Sequence, residues 1–98
     1  MNTGPKDLAR DLRNLWPVMQ KHGIASLWIF GSHARGDSRP DSDIDLLVEF
    51  ASPPGFDNFT GLKFDLEDRL GIKVDLLSRS ACKPRFLEAI HPDLLHVA

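Results

Sequence analysis

At 98 residues, 42% hydrophobic and 27% charged, the sequence has the size and composition of one small globular domain, expected to span residues 1–98. No apolar run approaches the ~20 residues of a membrane-crossing helix, and the charged N-terminus MNTGPKDLARDLRNL is not a secretory leader. The formal charge of −2 argues against a broad face that tracks nucleic acid, and the single Cys82 precludes an internal disulfide and fits a reducing cytosol. In chain order, Pro5 suits the first position of a helix, where its missing N–H costs nothing. Leu8, Leu12, Leu15, Trp16 and Met19 follow at helical spacing. Pro17 predicts a kink or a split in that helix, and Gly23 its end. Ser26–Phe30 is a bulky run ending at Gly31 and reads as a buried strand, with Trp28 in the core.

Gly31 to Asp41 reads as a polar loop with room for one helical turn after Ser32. Ile44–Phe50 is a second strand, closed by Ser52-Pro53-Pro54-Gly55. Asn58 is a candidate cap for a helix whose face is Phe59, Leu62, Leu66 and Leu70, with Gly71 as its stop. Ile72–Leu77 is a third strand, and Pro84–Ile90 a last helix before Pro92. Leu94 to Val97 fits a short strand and a docked tail equally well. This order predicts an α/β domain: a small sheet of at least three strands with helices packed on it.

The chemistry concentrates in Ser42-Asp43-Ile44-Asp45-Leu46-Leu47-Val48. Side chains alternate along a strand, so Asp43 and Asp45 share one face while Ile44 and Leu46 turn to a core. Two neighbouring carboxylates repel and require a cation, donors or full solvation. Their hard oxygens select Mg²⁺ or Mn²⁺. Asp75, in Val74-Asp75-Leu76-Leu77, is a charged residue inside an apolar strand. If the third strand lies beside the second, Asp75 completes a three-carboxylate pocket. Such pockets hold two ions about 3.5–4 Å apart in phosphoryl and nucleotidyl transfer.

Upstream, Phe30-Gly31-Ser32 leaves a strand through a glycine, which lets backbone N–H groups approach a phosphate. Ser32 adds a hydroxyl, and ten residues separate it from Asp43. Arg35 and Arg39 in that interval are candidates for phosphate oxygens. Rival motifs fail. Asp41, Asp43 and Asp45 resemble the start of a calcium loop, but Leu46 and Ser52 stand where it needs glycine and glutamate. The Gly-Lys-Ser/Thr of a P-loop is absent.

Gly31-Ser32, ten residues, then Asp43-Ile44-Asp45, within FGSHARGDSRPDSDIDLLVEF, resembles the signature of minimal nucleotidyltransferases of the DNA polymerase beta-like superfamily. Asp75 in KVDLLS falls where that family has its third acid. The resemblance implies a palm-like α+β fold with a mixed sheet, ATP as donor and Mg²⁺ as cofactor. It makes Asp43 and Asp45 metal ligands, and Asp75 a ligand or the base for the attacking hydroxyl. It gives Gly31 and Ser32 the β- and γ-phosphates, with Arg35 a weaker candidate. Many small members are antitoxins encoded beside a HEPN-domain RNase toxin, and they transfer AMP to a toxin tyrosine. A cytosolic antitoxin enzyme with a HEPN partner is therefore expected, with no membrane or direct nucleic-acid partner. The chain has no tyrosine, so it cannot modify itself on that residue. Two other readings compete: a silent antitoxin acting by occlusion, and a transferase acting on a small molecule or RNA.

The remaining polar and aromatic residues read as structural. His33 lies in the phosphate loop, where a ligand contact competes with a structural role. His22, His91 and His96 show no metal-ligand spacing, and Cys82 has no partner base. Trp16 suits a core or an interface, and Phe56 and Phe59 suit a core patch under a loop or a partner surface. Glu67, Asp68 and Arg69 read as a solvated helix face.

Overall fold

The computed structural model describes residues 5–39 and 42–98. The expectations for residues 1–4, for Asp41 and for the Phe56 side chain lie outside what it describes.

The first helical stretch is split. Helix α1 runs Pro5–Asn14 and α2 Trp16–Lys21. Pro17 falls in the first turn of α2, where no N–H is required. Leu15 is the joint: its carbonyl accepts the N–H groups of Val18 and Met19 at 3.0 and 3.1 Å. Gly23 then turns the chain at φ 81°. Strand β1 (Ile24–Phe30) starts two residues earlier than expected, and β2 (Ile44–Phe50) matches its predicted span. Between them Ser32–Arg35 forms a one-turn helix, α3. Helix α4 runs Phe56–Leu70, so Gly55 takes the cap position expected of Asn58. Gly71 ends it at φ 70°. Strand β3 (Val74–Ser78), a 3₁₀ turn (Arg79–Ala81), helix α5 (Pro84–Ile90), a second 3₁₀ turn (His91–Asp93) and strand β4 (Leu95–His96) complete the order.

The sheet order is β3-β2-β1-β4. β1 is antiparallel to both neighbours, while β2 and β3 are parallel and joined through α4, so the sheet is mixed as the α+β expectation required. One face carries the core. Leu27 and Ile29 of β1, Ile44, Leu46 and Val48 of β2, and Val74 and Leu76 of β3 are buried with helix residues. Leu8, Leu12, Met19, Leu62 and Leu66 supply the helical side at the predicted spacing. Each such side chain contributes about 1.5–3 kcal/mol when fully removed from water.

The other face differs from expectation at Trp28. Alternation turns Trp28 away from α1, α2 and α4 and leaves it half-buried, under the Arg79 guanidinium at 5.3 Å and beside His96 at 5.5 Å. Phe30, on the same face, meets Phe86 of α5 edge-on. The C-terminus resolves both options: β4 pairs with Trp28 and Ile29, and the Ala98 carbonyl accepts the Leu27 N–H at 2.8 Å. Glu67 also departs from its expected solvated role. Its carboxylate accepts the Val74 N–H at 2.9 Å, tying α4 to the start of β3. Phe59 packs on the core beside Phe50, as the core-patch reading expects. Among the described residues no helix is long and apolar enough to cross a membrane.

Candidate active site

Three chain segments meet where β1 ends and where β2 and β3 begin. Antiparallel pairing sets Phe30 opposite Asp45, and parallel pairing sets Asp45 opposite Asp75. The parallel register is started by the Ile44 N–H, which donates to the Lys73 carbonyl at 2.9 Å. Adjacent strands lie about 4.8 Å apart, so paired residues project side by side on one face. Asp45 thus stands between the end of β1 and Asp75, on the face opposite the core. Asp43 lies just ahead of β2 and is exposed.

Gly31 follows Phe30 with φ 74° and ψ −153°, a conformation that excludes side chains. A Cβ at Gly31 would run into the Asp45 carboxylate. The bend and the central acid are therefore in direct contact, as the Ser32-to-Asp43 spacing anticipated. Ser32 opens α3, whose first N–H groups have no intrahelical acceptor. Gly36, in the left-handed region, closes the turn with its N–H on the Ser32 carbonyl.

The electrostatics of the cluster are those of a site short of positive charge. Burial pushes the Asp45 carboxyl above its ordinary 3.8, and the charges of Asp75 and Asp43 push it further. His33 and Arg35 oppose this. Among the described residues no trio of His, Cys, Asp and Glu side chains closes into a metal cage. Asp45 and Asp75 stand together, and Asp43 acts on Asp45 through its charge. The donor set is all carboxylate oxygen, and the missing Cβ of Gly31 lets the Asp45 carboxylate sit against the bend. These features fit a hard divalent cation.

Arg35 acts on Asp45 through its charge, while its guanidinium pairs with two other carboxylates. Its Nε–H donates to Asp37 at 3.2 Å and its Nη1–H to Asp93 at 3.1 Å. Those two carboxylates raise the Arg35 pKa. Asp93 carries no sequence signal, because only the fold joins positions 58 apart. His33 is buried, and its Nε2 lies 3.2 Å from the Ser42 carbonyl. Arg39 engages Ser42 through its backbone. Cys82 donates Sγ–H to the Ser78 carbonyl at 3.3 Å, and His22 binds Asp65 at 2.9 Å. Two surface cavities, of about 470 and 450 Å³, lie at the far ends of β2 and β3 from the acids, around Pro54 and Ser80.

The nucleotidyltransferase domain profile matches residues 6–95. A Methanocaldococcus jannaschii protein assigned as a protein adenylyltransferase is 41% identical over 93 residues, covering 94% of this chain and 93% of that one. Protein adenylyltransferase MntA of Thermococcus cleftensis is 33% identical over 80 residues, covering 82% of this chain and 81% of MntA. A solved structure assigned as a minimal nucleotidyltransferase superposes with a TM-score of 0.80 at 34% identity, over 94% of each chain. Two more distant structures share the fold. One is a toxin–antitoxin pair solved with AMP-PNP, with a TM-score of 0.74 at 19% identity over 88% of this chain and 72% of that one. The other is a Shewanella oneidensis complex of tri-AMPylated HEPN toxin with MNT antitoxin, with a TM-score of 0.68 at 16% identity over 92% and 71%.

Proposed function

The chain belongs to the nucleotidyltransferase domain family, and from that membership we propose that it transfers AMP from ATP to a hydroxyl of a partner protein. The acceptor we assign is a tyrosine of a HEPN-domain RNase toxin, with this chain as its cytosolic antitoxin. The adenylyltransferase names of its relatives support the reaction. The toxin–antitoxin complexes that share its fold support the partner, and AMP-PNP in one of them supports a nucleotide donor.

The single observation that carries the reading is the register that sets Asp45 between Phe30-Gly31 and Asp75. Asp43, Asp45 and Asp75 would hold the ions, Mg²⁺ or Mn²⁺. When bound there, the metal supplies positive charge against the charge that develops on the transferring phosphate. The bend at Gly31 and Ser32 takes the β- and γ-phosphates through backbone N–H groups and the Ser32 hydroxyl. The acceptor oxygen attacks the α-phosphorus in line, and the bond from that phosphorus to the α–β bridging oxygen breaks. Pyrophosphate leaves with the bond's electron pair. Asp75, an exposed carboxylate at the rim, accepts the hydroxyl proton or shares in holding the ion. Fixed donors aimed at the developing charge lower the barrier because they need no reorganisation.

The test is transfer of label from α-labelled ATP, in Mg²⁺, to the product of the adjacent gene. Labelling of that protein by wild type, lost together with toxin silencing in Asp43→Asn, supports the reading. Full silencing by Asp43→Asn with no label transferred would replace it with occlusion.

A further inference from the structure

His33 links the two halves of this site. Ser42 is held at three atoms. Its N–H donates to the Arg39 carbonyl at 2.9 Å, and its Oγ accepts the Arg39 N–H at 2.9 Å. Its carbonyl pairs with His33 Nε2 at 3.2 Å. The first two bonds tie Ser42 to Arg39 and cannot set the distance from there to the bend at Gly31. The third does. It joins the residue after Ser32 to the residue before Asp43, across the loop that separates them.

A carbonyl oxygen only accepts, so Nε2 must carry the hydrogen. Burial reinforces the assignment. At 9% exposure His33 is the one buried polar or charged residue among those described. Buried polar groups need their partner, because water does not reach a donor left unpaired there. Ile44 is already fixed by its N–H on the Lys73 carbonyl, so the clasp adds the restraint on the loop side of Asp43. Catalytic geometry must hold within roughly 0.5 Å, and a displacement of about 1 Å costs on the order of 100-fold in rate.

We propose that His33 is a positioning residue: its Nε2–H clasps the Ser42 carbonyl and sets the separation between the Gly31-Ser32 bend and Asp43. The role depends on the assignment of that bend to the donor phosphates and of Asp43 to the ion. His33 does not itself touch the nucleotide through Nε2, which the clasp occupies.

Three measurements test this, two of them independent of catalysis. In the neutral wild-type ring, ¹⁵N NMR should place the hydrogen on Nε2; a hydrogen on Nδ1 alone overturns the clasp. In His33→Leu, amide exchange at Ser42 and Ile44, which donate to the Arg39 and Lys73 carbonyls, should quicken at least tenfold, while Leu27–Ile29 and Leu62–Leu66 keep their wild-type protection. His33→Gln, whose side-chain amide retains a donor, should restore most of that protection. Equal exchange in all three proteins, or a loss in His33→Leu spread through the core strands, overturns the proposal. In the transfer assay, His33→Leu should lower kcat about 10- to 100-fold, with the KM for the acceptor within twofold of wild type and partial recovery in His33→Gln. Unchanged kcat in an active His33→Leu overturns the positioning role. If wild type transfers no label, the proposed function fails, while the NMR and exchange results still decide the clasp.

Discussion

Asp45 of β2 stands in register with Asp75 of β3, so two carboxylates share one face across a parallel strand pair. The pairing is costly without a cation. Asp75 is the largest charged contributor to the raised Asp45 pKa, second only to burial. Asp75→Asn removes one negative charge and should move the Asp45 titration down, as followed by carboxyl ¹³C NMR. The same variant should lower AMP transfer by about 100-fold or more, the range expected when a positioned proton acceptor is lost.

A raised carboxylate pKa also carries a stability sign. The folded state holds the Asp45 proton to a higher pH than the unfolded chain does. Stability from this group is therefore full below the unfolded value of 3.8 and falls as pH rises through the folded value. At neutral pH the charged form is a net cost. Asp45→Asn should raise the melting temperature in EDTA by on the order of a few degrees while abolishing transfer. Mg²⁺ should raise the wild-type melting temperature and leave Asp45→Asn unmoved. A lower melting temperature for the variant in EDTA would contradict the electrostatics described.

The opposite sign holds at Asp65. The hydrogen bond from His22 draws its pKa below 3.8. Stability from that bond is present above the unfolded value and is lost as pH falls through the lowered folded value. Asp65→Asn should be less stable than wild type at pH 5 and should lose less on further acidification. Thermal melts from pH 5 to 2 measure this, and parallel acid limbs would contradict it.

Much of the fold was legible because burial and alternation leave direct marks in sequence. Ile44, Leu46 and Val48 alternate with Asp45 and Leu47, and the helix stripe of Leu62 and Leu66 repeats at helical spacing. Gly31-Ser32 and the ten residues from Ser32 to Asp43 marked the bend beside the acids. The rest depended on contacts distant in sequence. A bulky run such as Ser26–Phe30 shows that a strand is buried, but not which face its tryptophan takes. Trp28 turned to the side of Arg79 and His96. Likewise, no local pattern foretells the pairing of Arg35 with Asp93, and the expectation of a solvated Glu67 could not foresee the Val74 N–H. A strand as short as Leu95–His96 exists only because β1 offers it an edge.

Glu67 supplies a prediction of its own. Its carboxylate satisfies the Val74 N–H one residue before Asp75. Glu67→Ala should cost about 1–3 kcal/mol by leaving that donor unpaired. Glu67→Gln keeps an acceptor oxygen and should recover at least half of the loss. Urea unfolding of the three proteins decides it, and equal midpoints would show that the bond carries no stability.

The central claim is that the bend at Gly31-Ser32 and the acids Asp43, Asp45 and Asp75 form one nucleotide and metal site. The direct measurement is a crystal structure of the chain with Mn²⁺ and a non-hydrolysable ATP analogue. The account predicts metal bound to the carboxylates of Asp43 and Asp45, beside Asp75, with the β- and γ-phosphates against the backbone of Gly31 and Ser32. Nucleotide seated instead in the cavities around Pro54 and Ser80, with the three acids free of metal, would contradict it.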